Sequence, residues 1–242
     1  VTHGPHTVGG AVNLVSAPVP SAAMGVVDLS YGSDGYYKAQ AAYGNMKGNF
    51  GYLVDVLTYG ADGFKSIDGH GDSTGFERSD FGIKLLYQNP ESLRDHKVSL
   101  LIEGGEEGAD ETYLGLADAD FINNPYRRYA ASQLARFESE HINVLLNYSL
   151  SLTQNTRSNV KVYWNDFDRS WNKLDGFLAG PTLQKVLQAP TQYQDQYFVL
   201  TGQKNSALTD DEILDVTNND RAYESSGIQW SISDQRTIGS IT

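Results

Sequence analysis

The chain has 242 residues, 40% of them hydrophobic and 11% aromatic, with 15 Tyr, 24 Gly, no Cys and a formal net charge of -12. The absence of cysteine excludes disulfides, zinc-thiolate sites and a thiol nucleophile, and the acidic balance argues against nucleic acid, whose phosphates call for a concentrated basic surface. No stretch approaches the roughly 18 uninterrupted apolar residues of a spanning helix, so any crossing of a membrane falls to strands; a negative mean hydropathy is compatible with that, because only alternate residues of such strands meet lipid.

In chain order, the first distinct element is Gly4 to Ser16, GPHTVGGAVNLVS. Gly9 and Gly10 allow positive φ or a close backbone approach, and Val12, Leu14 and Val15 suit a buried strand. It is not a phosphate loop, since the Lys and Ser or Thr of a Walker motif are missing. Ala17 to Ala22 follows as a linker. From Ala23 onward, segments of about ten residues place apolar side chains at every second position, the period of a strand with two different faces.

Val27, Leu29 and Tyr31 begin the series, followed by Tyr37, Ala39, Ala41 and Tyr43. Phe50 to Tyr59 is less regular, because Leu53 and Leu57 interrupt its polar face. Phe81, Ile83, Leu85 and Tyr87 come next, then Val98, Leu100 and Ile102. The clearest case is His141 to Thr153, with Ile142, Val144, Leu146, Tyr148, Leu150 and Leu152 on one side. Val160, Val162 and Trp164, and finally Ile228, Trp230 and Ile232, complete a count of roughly eight strands.

The connections alternate in length. Asn45 to Asn49, Asn89 to Asp95 and Gln154 to Asn159 are short, whereas Gly60 to Ser79, Gly104 to Glu140 and Asp166 to Asp220 are long, with Ser33 to Tyr36 the short exception on that side. A soluble sandwich has no reason to sort its loops in this way; bacterial outer-membrane barrels do, with short periplasmic turns and long extracellular loops. Tyr43, Phe50, Tyr52 and Tyr87 lie close to the short turns on the apolar side, as a periplasmic aromatic girdle would; cross-strand pairing in a soluble sheet is the other explanation.

No catalytic constellation stands out. His3, His6, His70, His96 and His141 are scattered without metal-ligand spacing, and Glu106 with Glu107, or Asp210 with Asp211, have the character of solvated loop charges. The expectation is therefore no enzymatic activity, no metal site and no cofactor.

The segment around Gly9, Gly10, Val12, Asn13, Leu14 and Val15 resembles the closing motif of the plug in TonB-dependent receptors. Gly25 to Gly35, GVVDLSYGSDG, is similar to that family's first barrel strand, and Ala61, Asp62 and Gly63 resemble the end of its third. Glu111 to Ser132 is similar to an extracellular loop of the ferric dicitrate receptor branch. The resemblance implies an all-β fold: a partial antiparallel transmembrane β-barrel, about eight up-and-down strands of a larger one of about 22, preceded by the last strand of a plug. Residues 1–22 would be the plug's end and linker, and residues 23–242 the first part of the barrel with its extracellular loops.

The function so implied is energised uptake of a ferric chelate, a siderophore or ferric citrate, across the bacterial outer membrane. Its partners would be the transported chelate, outer-membrane lipid, and TonB through an N-terminal segment outside this chain. Within such a receptor Arg127 and Arg128, flanked by Tyr126 and Tyr129, suit an anionic chelate by their guanidinium donors and aromatic walls. Alternatively these arginines tie down their own acidic loop through Asp118, Asp120 or Glu138. His3 and His6 lie on the plug side, with a structural role or an approach to the ligand chamber open to them. A porin-like channel and a soluble all-β binding module are the other functional readings.

Overall fold

The computed structural model describes residues 15–70, 74–89, 94–110, 113–206 and 209–235. The plug-like motif with Gly9, Gly10 and Asn13, and His3 and His6, lie outside the described residues.

Each strand predicted from Val27 onward is present and longer than its apolar alternation. β1 spans Met24–Tyr31, β2 Tyr37–Lys47, β3 Phe50–Ala61, β5 Phe76–Asn89, β6 His96–Ala109, β8 Arg136–Ser151 and β9 Thr156–Phe177. Two strands then share β9 as partner: β10, Leu214–Asn218, pairs with its far half and β11, Arg221–Asp234, with its near half. Together they fill one position interrupted at Asn219 and Asp220, which gives the eight positions expected. Within this sheet every pairing is antiparallel between neighbours, in the order β1-β2-β3-β5-β6-β8-β9, and the sheet stays open because β1 and β11 do not pair.

Turn chemistry explains the tight reversals. Ser33 to Tyr36 closes with Asp34 at φ 56° and Gly35 at φ 68°, and the Tyr36 N–H donates to Ser33 O at 3.0 Å. Positive φ at both central residues is the twist-matched I′ arrangement that Asp-Gly favours. At the other end, Lys47 pairs with Phe50 around Gly48, whose φ is 59°. Here positive φ at the first central residue is what a II′ turn demands, and glycine supplies it without strain.

Residues directly opposite in an antiparallel pair share a face, so the register sorts the side chains into rows. One row reads Phe50, Tyr87, Val98, Tyr148, Val160, Trp230, and the next Tyr52, Leu85, Leu100, Leu146, Val162, Ile228. A third holds Tyr43, Val54, Ile83, Ile102, Val144 and Trp164. Two steps further along the strands, on the same face, the composition changes abruptly to Thr58, Ser79, Glu106, Glu140 and Asp168. Measured from Leu152 to Ile142, the apolar band is about 34 Å long on the strand, or about 26 Å high at a tilt of about 40°.

Among the described residues, no second layer covers this band. Leu85 is 46% exposed, Leu146 40%, Ile228 73% and Trp230 69%. The hydrophobic core of the described residues lies instead among the long loops, where Leu114, Tyr129, Ala131, Leu174, Val186 and Leu200 pack together. Of these only Leu174 comes from the main sheet. Three short helices that the apolar period does not reveal serve this cap: α1 at Asp118–Asn123, α2 at Leu183–Gln188 and α3 at Gln194–Leu200. The long loops are correspondingly shorter than expected, since β6 runs on to Ala109, β8 starts at Arg136 and β9 continues to Phe177.

Candidate functional site in the loop cap and polar face

The loop cap is built around one carboxylate. Asp120, in α1, accepts hydrogen bonds from the Tyr129 and Tyr197 hydroxyls, each at 2.5 Å, and from Arg127 Nη1 at 2.9 Å. Burial pushes this carboxyl up, but the two tyrosine hydroxyls and the Arg127 guanidinium outweigh it and hold Asp120 below the usual carboxylate range. Tyr129 is completely buried, and its oxygen also accepts from the Ala117 N–H at 2.8 Å. Burial first, and then the neighbouring Asp120, push the Tyr129 and Tyr197 hydroxyls up, so both stay protonated as donors.

Arg127 joins a third loop to this hub. Its Nε donates to Asp68 at 2.8 Å, and its guanidinium lies 5.2 Å from the Tyr129 ring centre. The hydrogen bond to Asp68 is the main reason its affinity for its proton is raised. The backbone is zipped in the same place: β4, Ser66–Ile67, runs parallel to β7, Arg127–Arg128. The Ser66 N–H donates to Tyr126 O at 3.0 Å, and the Asp68 N–H to Arg128 O at 2.9 Å.

The four predicted ligand residues thus divide. Arg127 and Tyr129 hold the cap together, through Asp120 as one expected partner and through Asp68, which sequence proximity does not suggest. Arg128 Nη1 donates to the carbonyls of Pro125 and Arg127 at 3.0 and 2.6 Å. Tyr126 is the accessible member, 56% exposed, with its ring edge-on to Phe64 at 5.8 Å. Glu138 pairs with Arg136 at 2.8 Å rather than with Arg127.

The second part of the site is the polar face of the sheet, opposite the apolar band. One row towards the loop end reads Ser30, Lys38, Tyr59, Arg78, Glu107, Ser139, Arg169, Arg221. Lys38 pairs with Asp28 at 2.8 Å, and Arg78 with Asp80 at 2.9 Å and Glu107 at 3.0 Å.

Comparison with known proteins finds no matching family model, curated protein or solved structure. What the chain could bind therefore rests on its own geometry.

Near the short turns, the segment that precedes β1 crosses this same polar face. Lys84 Nζ, in β5, donates to Ser16 Oγ at 2.8 Å and to the carbonyls of Ser16 and Ala17 at 3.3 and 2.6 Å. Two glycines make room for the segment: a Cβ at Gly51 would stand 2.7 Å from Val19 Cγ1, and one at Gly44 2.7 Å from Pro20 Cδ. Leu53, whose register partners are Gly44 and Lys84, is only 7% exposed in consequence. Neither Lys84 nor these glycines stands out in the sequence. The one available signal is glycine at polar-face positions of otherwise well-formed strands, which marks a close approach by another backbone.

Proposed function

We propose that this chain forms the barrel wall and loop cap of a TonB-dependent outer-membrane receptor that takes up a ferric chelate. The observation that carries the proposal is a meandering sheet whose continuous apolar band has no second layer against it among the described residues. In water, a sheet with such a face packs on another sheet or on helices. In a bilayer, lipid provides that cover and the band has the height of a transmembrane barrel. Short turns at one end and folded loops at the other support the same environment.

One feature favours a plugged receptor over an open channel, and another bears on either. Residues 16–20 are latched to the polar face, which in a barrel would line the interior, and this supports a plug-side segment ahead of β1. The open edges of β1 and β11 require further strands for closure, because an unpaired edge is not tolerated within hydrocarbon. Of the predicted ligand quartet, Tyr126 and Arg128 remain the candidates for meeting the chelate, with Arg127 and Tyr129 positioning them.

Uptake of labelled ferric citrate and ferric siderophores by iron-starved cells producing the complete reading frame tests the proposal. Uptake that disappears when TonB is deleted is expected. Equal uptake with and without TonB would assign a porin-like channel, and recovery of the chain in the soluble fraction would assign a soluble binding module.

A further inference from the structure

One row of the polar face departs from the rest. Across the sheet it runs Leu53, Lys84, Leu101, Leu145, Tyr163, apolar except for the lysine. The neighbouring row towards the loops holds Asp55, Glu103, Asn143 and Asn165, and the one towards the short turns Leu86, Ser99, Asn147 and Lys161. Leu101, Leu145 and Tyr163 thus form an apolar shelf within a polar face, and a contiguous patch of this kind marks a contact surface rather than scatter.

The near end of the row is covered already. The segment before β1 crosses the strands one after another, with Pro20 over Gly44 of β2, Val19 over Gly51 of β3, and Ser16 and Ala17 bonded to Lys84 of β5. Under it Leu53 is 7% exposed, whereas Leu101, Leu145 and Tyr163, ahead of its path, are only partly buried. Pro18 and Pro20 keep the segment extended, so its side chains alternate towards the wall and away from it. Ser16 Oγ faces the wall, bonded to Lys84 Nζ at 2.8 Å, and Val15 faces away, 82% exposed. The same alternation turns Leu14 and Val12 towards the wall.

The spacing matches as well. With strands about 4.8 Å apart, Leu101, Leu145 and Tyr163 stand about 5, 10 and 14 Å beyond Lys84. At about 3.3 Å per extended residue, Leu14 and Val12 come about 7 and 13 Å beyond Ser16. Tyr163 closes the shelf, its hydroxyl lying 2.6 Å from where a Cβ of Gly227 would stand.

We propose that Leu101, Leu145 and Tyr163 are the seat of residues 12–14 of this chain, Leu14 packing between Leu101 and Leu145 and Val12 against Tyr163, with Lys84 as the pin that sets which side of the segment faces the wall. The seat goes beyond the receptor reading and depends on neither cargo nor TonB, because it rests on the register and on the path of residues 15–20.

The chain contains no cysteine, so an introduced one reports alone. The test is the rate of maleimide labelling of Leu145→Cys in the full chain in detergent micelles, by itself and combined with Leu14→Asp or Val15→Asp. Leu14→Asp speeds labelling by about tenfold, the loss of one buried leucine, and Val15→Asp leaves it unchanged.

A second measurement keeps the segment free of added charge. A short bismaleimide joins Leu14→Cys to Leu101→Cys and does not join it to Leu100→Cys, on the opposite face of the same strand. No acceleration by Leu14→Asp, equal effects of the two aspartates, no cross-link to Leu101→Cys, or equal cross-linking to both faces would overturn the seat. TonB-independent uptake would overturn the receptor and leave all of these results as they are, so the two proposals fail separately.

Discussion

Replacing Asp120 by Ala separates the loop cap from the sheet energetically. The substitution removes one acceptor shared by Tyr129, Tyr197 and Arg127. Arg127 retains Asp68, so its loss is partial. Tyr129, fully buried, keeps the Ala117 N–H as a donor to its oxygen but has nowhere to place its own proton. A buried donor left unsatisfied costs about 1–3 kcal/mol, and with the half-buried Tyr197 the cap should lose about 2–4 kcal/mol of local stability. At about 1.4 kcal/mol per decade, that amounts to a fall of about 30-fold or more in hydrogen-exchange protection. Amides of α1, α3 and the Ala130–Ser132 turn should all lose protection together, because the hub joins separate loops. Amides in the middle of β5 and β6 should not change. Loss confined to α1, with α3 unaffected, would refute the hub.

The same carboxylate makes the cap sensitive to acid. Its folded pKa is depressed, so its contribution is complete above the unfolded value of about 3.9 and disappears as pH falls through the folded one. Protection of α1 and α3 should therefore drop below about pH 4, and Asp120→Asn should remove that step; a step that survives in the variant would assign it to another group. Val144→Arg places a charge in the middle of the apolar band and should lower recovery in the membrane fraction by an amount corresponding to about 2–4 kcal/mol. Its neighbour Asn143→Arg, on the polar face, should be tolerated, and equal behaviour of the two would argue against lipid on that face. Gly44→Val forces a side chain against Pro20 and the Tyr52 carbonyl. It should expose residues 15–20 to proteolysis while circular dichroism still reports the sheet; unchanged cleavage would show that the segment is not held there.

Much of the sheet is legible in the sequence, because a strand with one apolar and one polar face must alternate, and Ile142 to Leu152 does so almost without interruption. Legibility stops where the alternation stops. The Glu-Gly-Gly-Glu-Glu-Gly run of β6 and the Asp166 to Phe177 half of β9 have no apolar period, since they stand beyond the band and are held by ladder hydrogen bonds instead. The candidate ligand residues were legible as residue types but not as a site. Arg127 finds Asp68, and Asp120 finds Tyr197, 77 residues away, through contacts that nothing in the local spacing encodes.

By itself, then, the sequence determined the two-faced strands, their order and the inequality of their connections, because side-chain period and turn residues act over a few positions. Only the tertiary structure decided that the apolar face lies bare while the hydrophobic core gathers in the loops around Tyr129, and that the segment before β1 lies on the polar face through Lys84, Gly44 and Gly51. These outcomes depend on which rows the register brings into line and on what packs above them. They are long-range choices, and burial and hydrogen-bond satisfaction settle them only once the chain has folded.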